Sequence, residues 1–181
     1  MAAPASRFAR WSNVVVLIAF SWLAIQIELA PLGGRADATP APDLLFCVVA
    51  YFVVRRPEAS PALLIIILGL MRDMIGGGPA GLGALVLLAG AEGLRAYGPS
   101  IRRRSVAVEL TAIAAATLAV TTIEAVALTL VLAPAPPLEI LGRGALATFL
   151  AYILVAGLFR WVLRVRPDIE ETRTIIGRAA P

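Results

Sequence analysis

The stretch that decides the fold is VAVELTAIAAATLAVTTIEAVALTLVL, from Val106 to Leu132, in which Glu109 and Glu124 are the only charged residues. A helix that crosses the hydrocarbon core of a bilayer needs roughly 20 predominantly apolar residues. The run exceeds that length, and a proline-rich segment that begins at Pro134 ends it. It therefore predicts a transmembrane helix.

Five further apolar runs repeat this pattern between breakers and arginines. They are Trp11–Ala30, Asp43–Val54, Ser60–Ile75, Ala80–Tyr97 and Ala145–Val165. We therefore predict an all-α integral membrane protein: a six-transmembrane-helix bundle in residues 1–166, followed by a cytoplasmic C-terminal tail in residues 167–181. The second run would cover only about 18 Å at 1.5 Å per residue. We expect it to extend through the preceding prolines, to thin the bilayer locally, or to be shielded by neighbouring helices.

Capping and turn residues set the predicted helix ends. Ser60 is the predicted N-cap of the third helix, with Pro61 in its first turn. The glycines at 76–78 join two apolar runs, so they predict a tight turn. A phosphate-binding loop is not indicated, because the lysine and hydroxyl residues of such a loop are missing. Gly98-Pro99 is predicted to end the fourth helix.

The composition agrees with a membrane protein and excludes several classes of site. The chain is 60% hydrophobic and 15% charged, against about 45–50% and about 25% in typical soluble domains. There is no histidine and one cysteine, Cys47, so a disulfide framework within the chain and a His- or Cys-based metal site are excluded. We expect no cofactor.

The positive charge indicates membrane orientation, not nucleic-acid binding. All 16 basic residues are arginines, and most flank apolar runs, where they would contact anionic lipid headgroups. With alternating loops, thirteen arginines fall on one side, while Arg35 and Arg143 fall on the other and Arg72 lies within a span. Since cytoplasmic loops carry the excess of arginine, both termini are predicted to be cytoplasmic.

Ionisable residues within the spans form two predicted groups. Charges in a bilayer are costly and normally face the bundle interior, where they pair. Glu28, Arg72, Asp73 and Glu124 are predicted to meet in the outer half of the membrane as an intramembrane polar cluster. Its role is either helix packing and partner contact, which we favour, or binding of a ligand or proton.

The second group lies near the predicted cytoplasmic face. Glu92 and Glu109 are close in depth to Arg95 and to the arginines at 102–104. Glu92 and Arg95 are one helical turn apart, so they can pair directly. We therefore predict cytoplasmic-side ion pairing among Glu92, Arg95 and Glu109.

Small residues at four-residue spacing suggest how the helices pack. Such rows let helix backbones approach closely, and threonine hydroxyls can bond within or between helices. They serve either packing within the chain, which we favour, or docking of a partner's single transmembrane helix. The predicted packing positions are Ala89, Gly93, Thr117, Thr121 and Ala125.

Nothing in the sequence indicates catalysis. The serines have no histidine partner and no nucleophile-elbow pattern. The adjacent Glu170 and Glu171 lie in the predicted tail, where no pocket is expected. We therefore predict that the protein is not an enzyme.

Several short motifs follow one another along the chain: Pro42-Asp43, Arg55-Arg56-Pro57, Ser60–Leu64, Gly69–Asp73, Gly78–Leu82, Glu92–Arg95 and Pro134–Leu138. In their order and spacing, these motifs resemble the rod shape-determining membrane protein family MreD in its alphaproteobacterial form. The resemblance covers roughly residues 12–166.

This resemblance implies a fold similar to the substrate-binding components of energy-coupling-factor vitamin transporters. It also implies a scaffold role in the bacterial inner membrane, in the complex that directs lateral peptidoglycan synthesis and cell shape. The implied partners are the single-span protein MreC, a penicillin-binding transpeptidase, RodA and MreB. The alternative is a vitamin-binding transporter component, which would need a small-residue docking patch on the first span, where Ala19, Ser21 and Ala24 are the available residues.

Overall fold

The computed structural model describes residues 4–30, 41–77, 79–103, 105–130 and 137–162, and these residues contain helices and no strand. A 3₁₀ turn, Pro57–Ala59, joins the second and third helices. The predicted loop at 31–42 falls largely outside the described residues, as do the prolines at 134 and 136 and the predicted tail at 167–181. The helices are α1 Pro4–Leu29, α2 Leu44–Arg55, α3 Ala62–Gly76, α4 Leu82–Arg103, α5 Val106–Leu130 and α6 Leu138–Val162.

The short helix α2 lies at the centre of the bundle. Ten of its residues, from Leu45 to Val54, are buried, as expected for a helix that is apolar on all sides. Helices α1, α4 and α6 pack against it, while α3 and α5 pack against α4. The structure thus shields α2 with neighbouring helices, one of the three possibilities that its length left open.

Polar contacts show which helix ends lie together at each end of the bundle. Glu28 at the end of α1 contacts the start of α2, and Arg55 at the end of α2 contacts Glu109 near the start of α5. Two ends of the bundle follow from these contacts. We call the end with Glu28 the acidic end and the end with Arg55 the arginine end.

Aromatic rings join α1, α2 and α6 towards the arginine end. The ring of Phe159 stacks on Tyr51 at 4.9 Å and meets Phe52 edge-on at 5.4 Å between centroids. Phe20 of α1 contacts the same ring edge-on at 4.8 Å. Each such pair adds roughly 0.5–1.5 kcal/mol beyond the burial of its area, so Phe159 joins three helices.

Glycines allow close approaches between helices. A Cβ on Gly69 of α3 would lie 2.6 Å from the Cα of Ala84 in α4, so the two backbones touch there. A Cβ on Gly90 of α4 would lie 2.5 Å from a methyl group of Val120 in α5. Small residues of this kind are the usual basis of tight helix packing in membranes.

Among the described residues, three helices have the length and composition to cross a bilayer. They are Arg10–Leu29, Val106–Leu130 and Leu138–Trp161, and α2 is a shorter apolar helix. The prediction of an all-helical membrane protein is therefore confirmed at this level. Crossing by α2, α3 and α4 stays a prediction.

Several predicted helix ends were wrong. α4 continues through Gly98 and Pro99 to Arg103. Proline clashes with the Cβ of the preceding residue in a helix, and Gly98 has no Cβ, which removes part of that penalty. α6 begins at Leu138, not at Ala145, and its first turns carry an exposed ion pair between residues four apart.

The start of α3 also differs from the prediction, while its end contains the expected turn. Pro61, not Ser60, is the N-cap, and it makes no side-chain capping bond. Ser60 ends the 3₁₀ turn, and its hydroxyl donates to the carbonyl of Pro57 at 3.3 Å. Gly77 follows α3 with φ of +69°, a left-handed conformation that glycine adopts without a steric penalty.

Candidate functional site

Asp43 lies where three helices meet at the acidic end. Its Oδ1 accepts a hydrogen bond from the backbone N–H of Phe46 at 2.7 Å, which makes Asp43 the N-cap of α2. Its Oδ2 pairs with Arg72 Nη1 of α3 at 2.9 Å, and its backbone N–H donates to Thr148 Oγ1 of α6 at 2.9 Å. One residue therefore joins α2, α3 and α6.

Glu28 and Asp73 also accept hydrogen bonds from helix N-termini in the same region. Glu28 Oε1 accepts from the backbone N–H of Leu45 at 2.7 Å. Asp73 Oδ2 accepts from the N–H groups of Gly81 and Ala84, at 3.0 and 3.1 Å. The first N–H groups of a helix lack partners within the helix and carry partial positive charge. The two carboxylates thus stabilise the starts of α2 and α4.

The structure brings the four residues of the predicted polar cluster together around one cavity. Glu28, Arg72, Asp73 and Glu124 line this space of about 350 Å³, together with Asp43. A neighbouring cavity of about 160 Å³ shares Asp43 and Glu124 and is otherwise lined largely by α5 and α6. The proximity is a geometric fact, whereas the role of the cluster in packing or partner contact stays a prediction.

Asp43 and Thr148 were missed as members of the cluster. An aspartate directly before an apolar run is a helix-start signal, so the capping role of Asp43 was readable from the sequence. Its pairing with Arg72 was not, because the two residues lie 29 positions apart. Asp73, the sequence neighbour of Arg72, bonds to backbone N–H groups instead.

Glu109 is the centre of a polar network at the arginine end. Its carboxylate pairs with Arg55 of α2, and with Arg160 Nη2 of α6 at 3.1 Å. The Tyr152 hydroxyl donates to its other oxygen at 2.9 Å. The Glu109 side chain is only 6% exposed, so two cations and a phenol satisfy a buried charge.

The other predicted pair at this end is separate from Glu109. Glu92 and Arg95 of α4 pair at 3.1 Å, and Arg95 also donates to the backbone carbonyl of Ser60. Glu109 was predicted to pair with Arg95 because the sequence indicates a similar depth in the membrane for both residues. It does not indicate which helices lie side by side.

The predicted packing positions divide between the inside and the outside of the bundle. Thr117 is buried and its hydroxyl donates to the carbonyl of Ile113 at 2.9 Å, while Thr121 donates to Thr117 at 3.1 Å. Ala125 is half-buried. Ala89 and Gly93 are exposed, and a Cβ on Gly93 would meet nothing within 4 Å. Tight approaches are instead made by other glycines, such as Gly69 and Gly90.

The described residues contain no group of three or more histidine, cysteine or acidic side chains that could hold a metal ion. Most of the buried carboxylates bond to arginines or to helix N-termini. Over the residues that the structure describes, the helices, the apolar spans and the internally paired charges are those of an integral membrane protein.

The family comparison then gives a specific assignment. The family model of the rod shape-determining protein MreD matches residues 9–135, and this chain belongs to that family. The protein is therefore a rod shape-determining membrane protein. Searches among curated proteins and among solved structures gave no match, so the expected similarity to vitamin-transporter components is not supported.

Proposed function

We propose that this protein is a non-enzymatic scaffold in the bacterial cytoplasmic membrane that binds MreC and helps to organise lateral peptidoglycan synthesis. The observation that carries the proposal is the family match over residues 9–135. In the proposed complex, the penicillin-binding transpeptidase, RodA and MreB are further members. The scaffold would act through the free energy of helix association.

The internal use of its charges supports this function. Asp43, Asp73 and Glu109 each make two or more polar contacts within the bundle. Contacts of this kind contribute to a rigid helix arrangement. A rigid bundle is what a scaffold needs to present fixed surfaces to partners.

We further propose that the arginine end faces the cytoplasm, because cytoplasmic loops carry the excess of arginine. Cysteine labelling in intact cells tests this orientation, since the native Cys47 is buried. Glu58→Cys lies in the turn after α2 and Leu138→Cys at the start of α6, and both positions are exposed. A membrane-impermeant maleimide should label only the Leu138→Cys variant of intact cells, and the reverse pattern would overturn the orientation.

Co-purification tests the scaffold function. The full chain with an affinity tag, expressed at native level in cells depleted of the untagged copy, should restore rod shape. Solubilised with native lipid, it should retain MreC at a constant ratio. A six-span membrane protein of unrelated function, tagged and expressed alike, is the control. Restored shape with no more MreC than the control would overturn the proposed role.

A vitamin-transporter component is the second candidate, and the cavity of about 350 Å³ at the acidic end is the observation that favours it. Two features weigh against it. Three of the carboxylates around this cavity and Arg72 already bond to one another or to backbone; the three are those of Glu28, Asp43 and Asp73. Of the three candidate docking residues of the first span, Ser21 and Ala24 are buried and only Ala19 is exposed. Mass spectrometry of the purified protein distinguishes the candidates, since a stoichiometric vitamin would support the transporter.

A further inference from the structure

Two polar levels cross the bundle at a similar separation along different helices. At the arginine level, Arg55 and Arg160 contact Glu109, and at the acidic level, Asp43 bonds to Thr148. Asp43, the N-cap of α2, lies twelve positions before Arg55, and the corresponding residues of α6 have the same spacing. At 1.5 Å per residue, the levels are therefore about 18 Å apart, whereas the hydrocarbon core of a bilayer is about 30 Å thick.

Helix α5 continues well beyond the acidic level. It has the length and composition of a membrane span, and its last residue, Leu130, is exposed. Leu130 lies twenty-one positions after Glu109, so α5 extends about 32 Å from the arginine level. Glu124, the one charged residue between them, lines the cavity at the acidic end. The length of α5 thus matches a hydrocarbon core of ordinary thickness.

Helix α3 instead ends close to the acidic level. Arg72, which pairs with the aspartate of that level, lies twelve positions after Ser60 in the turn at the arginine end. The helix ends at Gly76, and the chain turns back into α4, where Asp73 accepts from the N–H of Gly81. Helix α3 therefore extends only about 24 Å from the arginine level, which is about 8 Å less than α5.

One face of α3 is apolar and is not covered by the described part of the chain. We call it the outer face of α3, and its exposed side chains are Leu63, Ile67, Leu70 and Met74. All four are large, whereas contacts between helices in membranes are enriched in small residues that let backbones approach. The small residue Gly69 points away from this face and lies against Ala84 of α4. The outer face of α3 therefore fits lipid acyl chains better than another helix.

The charged cavity at the acidic end indicates water close to the end of α3. Arg72 and Asp73 line this space of about 350 Å³, and the carboxylates of Glu28, Asp43 and Glu124 line it from other parts of the bundle. At about 18 Å from the arginine level, the cavity would lie inside a core of ordinary thickness. Charges at such a depth are costly, and local thinning of the bilayer with penetration of water lowers that cost.

We propose that the bilayer is thinner along α3 than along α5, so that lipid headgroups and water reach the end of α3 and the charged cavity. The occupant of the outer face of α3 is phospholipid. A helix shorter than the hydrocarbon thickness is accommodated by local thinning of the bilayer, and the two helices, which both pack against α4, differ in length by about 8 Å. The thinning requires neither MreC nor another partner.

Nitroxide spin labels on single introduced cysteines measure the depth of the two helices. The full chain is reconstituted in vesicles of dioleoyl phosphatidylcholine and phosphatidylglycerol, with Met74→Cys on α3 or Val126→Cys on α5, and both positions are exposed. Met74 lies about 21 Å from the arginine level and Val126 about 26 Å. In a bilayer of uniform thickness, the label at position 126 would therefore be closer to the headgroups at the acidic end.

We expect the opposite order. The ratio of collisions with a water-soluble nickel chelate to collisions with oxygen should be at least about threefold higher at position 74 than at position 126, because hydrocarbon excludes polar reagents. The parent chain, whose Cys47 is buried, supplies the background labelling. If Met74→Cys does not accumulate, Ile75→Cys replaces it, since Ile75 is also exposed and lies only about 1.5 Å further along α3.

A label at Ile67→Cys identifies what covers the outer face of α3. Lipid chains would give frequent collisions with oxygen and few with the nickel chelate. Few collisions with both reagents would show that protein covers the face, and frequent collisions with the chelate would place α3 outside the hydrocarbon. Either result would overturn the inference.

A collision ratio at position 74 that is equal to or below the ratio at position 126 would also overturn it, because the bilayer would then have a uniform thickness. The expected depths together with no co-purifying MreC would leave the thinning standing and would overturn the proposed function instead.

Discussion

Replacing Glu109 with glutamine tests whether the network at the arginine end holds the bundle together. The substitution removes one charge and keeps the shape of the side chain. Glutamine retains a carbonyl oxygen, so the hydrogen bond from the Tyr152 hydroxyl can persist. Arg55 and Arg160 lose the anion that both of them contact.

The expected loss follows from the burial of these groups. Removing one partner of a buried ion pair costs about 3–5 kcal/mol, because the other charge remains without compensation. Arg55 is 21% exposed and carries most of this penalty, whereas Arg160 is 43% exposed and can extend its charge towards the headgroups. We therefore expect Glu109→Gln to lower the free energy of unfolding by about 3 kcal/mol, roughly a hundredfold in the unfolding equilibrium.

Reversible unfolding of the purified protein in mixed micelles, titrated with sodium dodecyl sulfate, measures this change. Glu139→Gln is the matched control, since its carboxylate is 73% exposed and pairs with Arg143 four residues on. Exposed pairs of this kind contribute about 0.3–0.5 kcal/mol. If Glu109→Gln unfolded within about 0.5 kcal/mol of the parent chain, the reasoning about a buried and shared charge would be wrong.

Two further substitutions act at the acidic end. Gly83→Ala should lower the free energy of unfolding by about 2 kcal/mol in the same titration, because the new Cβ would lie 2.2 Å from the Asp73 carboxylate that caps α4. Gly93→Ala, where a Cβ meets nothing within 4 Å, should cause no loss. Arg72→Ala should reduce the amount of assembled protein in membrane fractions more than it alters any solute binding, because Asp43 loses its cation.

For each of these two predictions, one experimental outcome would contradict the expected effect. Equal stability of the Gly83→Ala and Gly93→Ala variants would show that the α3–α4 contact yields easily. For Arg72, the control is Arg143→Ala, whose side chain is 61% exposed. A normal level of assembled Arg72→Ala protein would count against a packing role for the acidic end.

The sequence predicted the helices better than it predicted their contacts. Apolar length is a local property, so the six runs corresponded to the six α-helices in the part of the chain that the structure describes, although the start of α3, the end of α4 and the start of α6 differed. The failure at Pro99 has a local cause, because Gly98 relieves the clash that normally ends a helix before proline. The prediction counted Gly98 and Pro99 as two helix breakers, although the glycine reduces the steric effect of the proline that follows it.

The partners of buried charges could not be predicted in the same way. Arg55 and Arg160 lie 54 and 51 positions from Glu109, so their contact depends on which helices surround α2. The tertiary arrangement also decides which small residues pack inside. Gly90 lies against Val120 whereas Gly93 faces outward, although the two are only three positions apart.

The position of α2 has a consequence for how the protein is made. At 12 residues it is shorter than the roughly 20 that membrane insertion of a lone helix requires, and its two ends are completed by Thr148 and, through Glu109, by Arg160. Those groups are synthesised about a hundred residues later. During translation, α2 should therefore lie beside α1 and α3 without its final polar contacts until α6 has been synthesised. Chains whose synthesis stops before α6 should be substrates for membrane quality-control proteases.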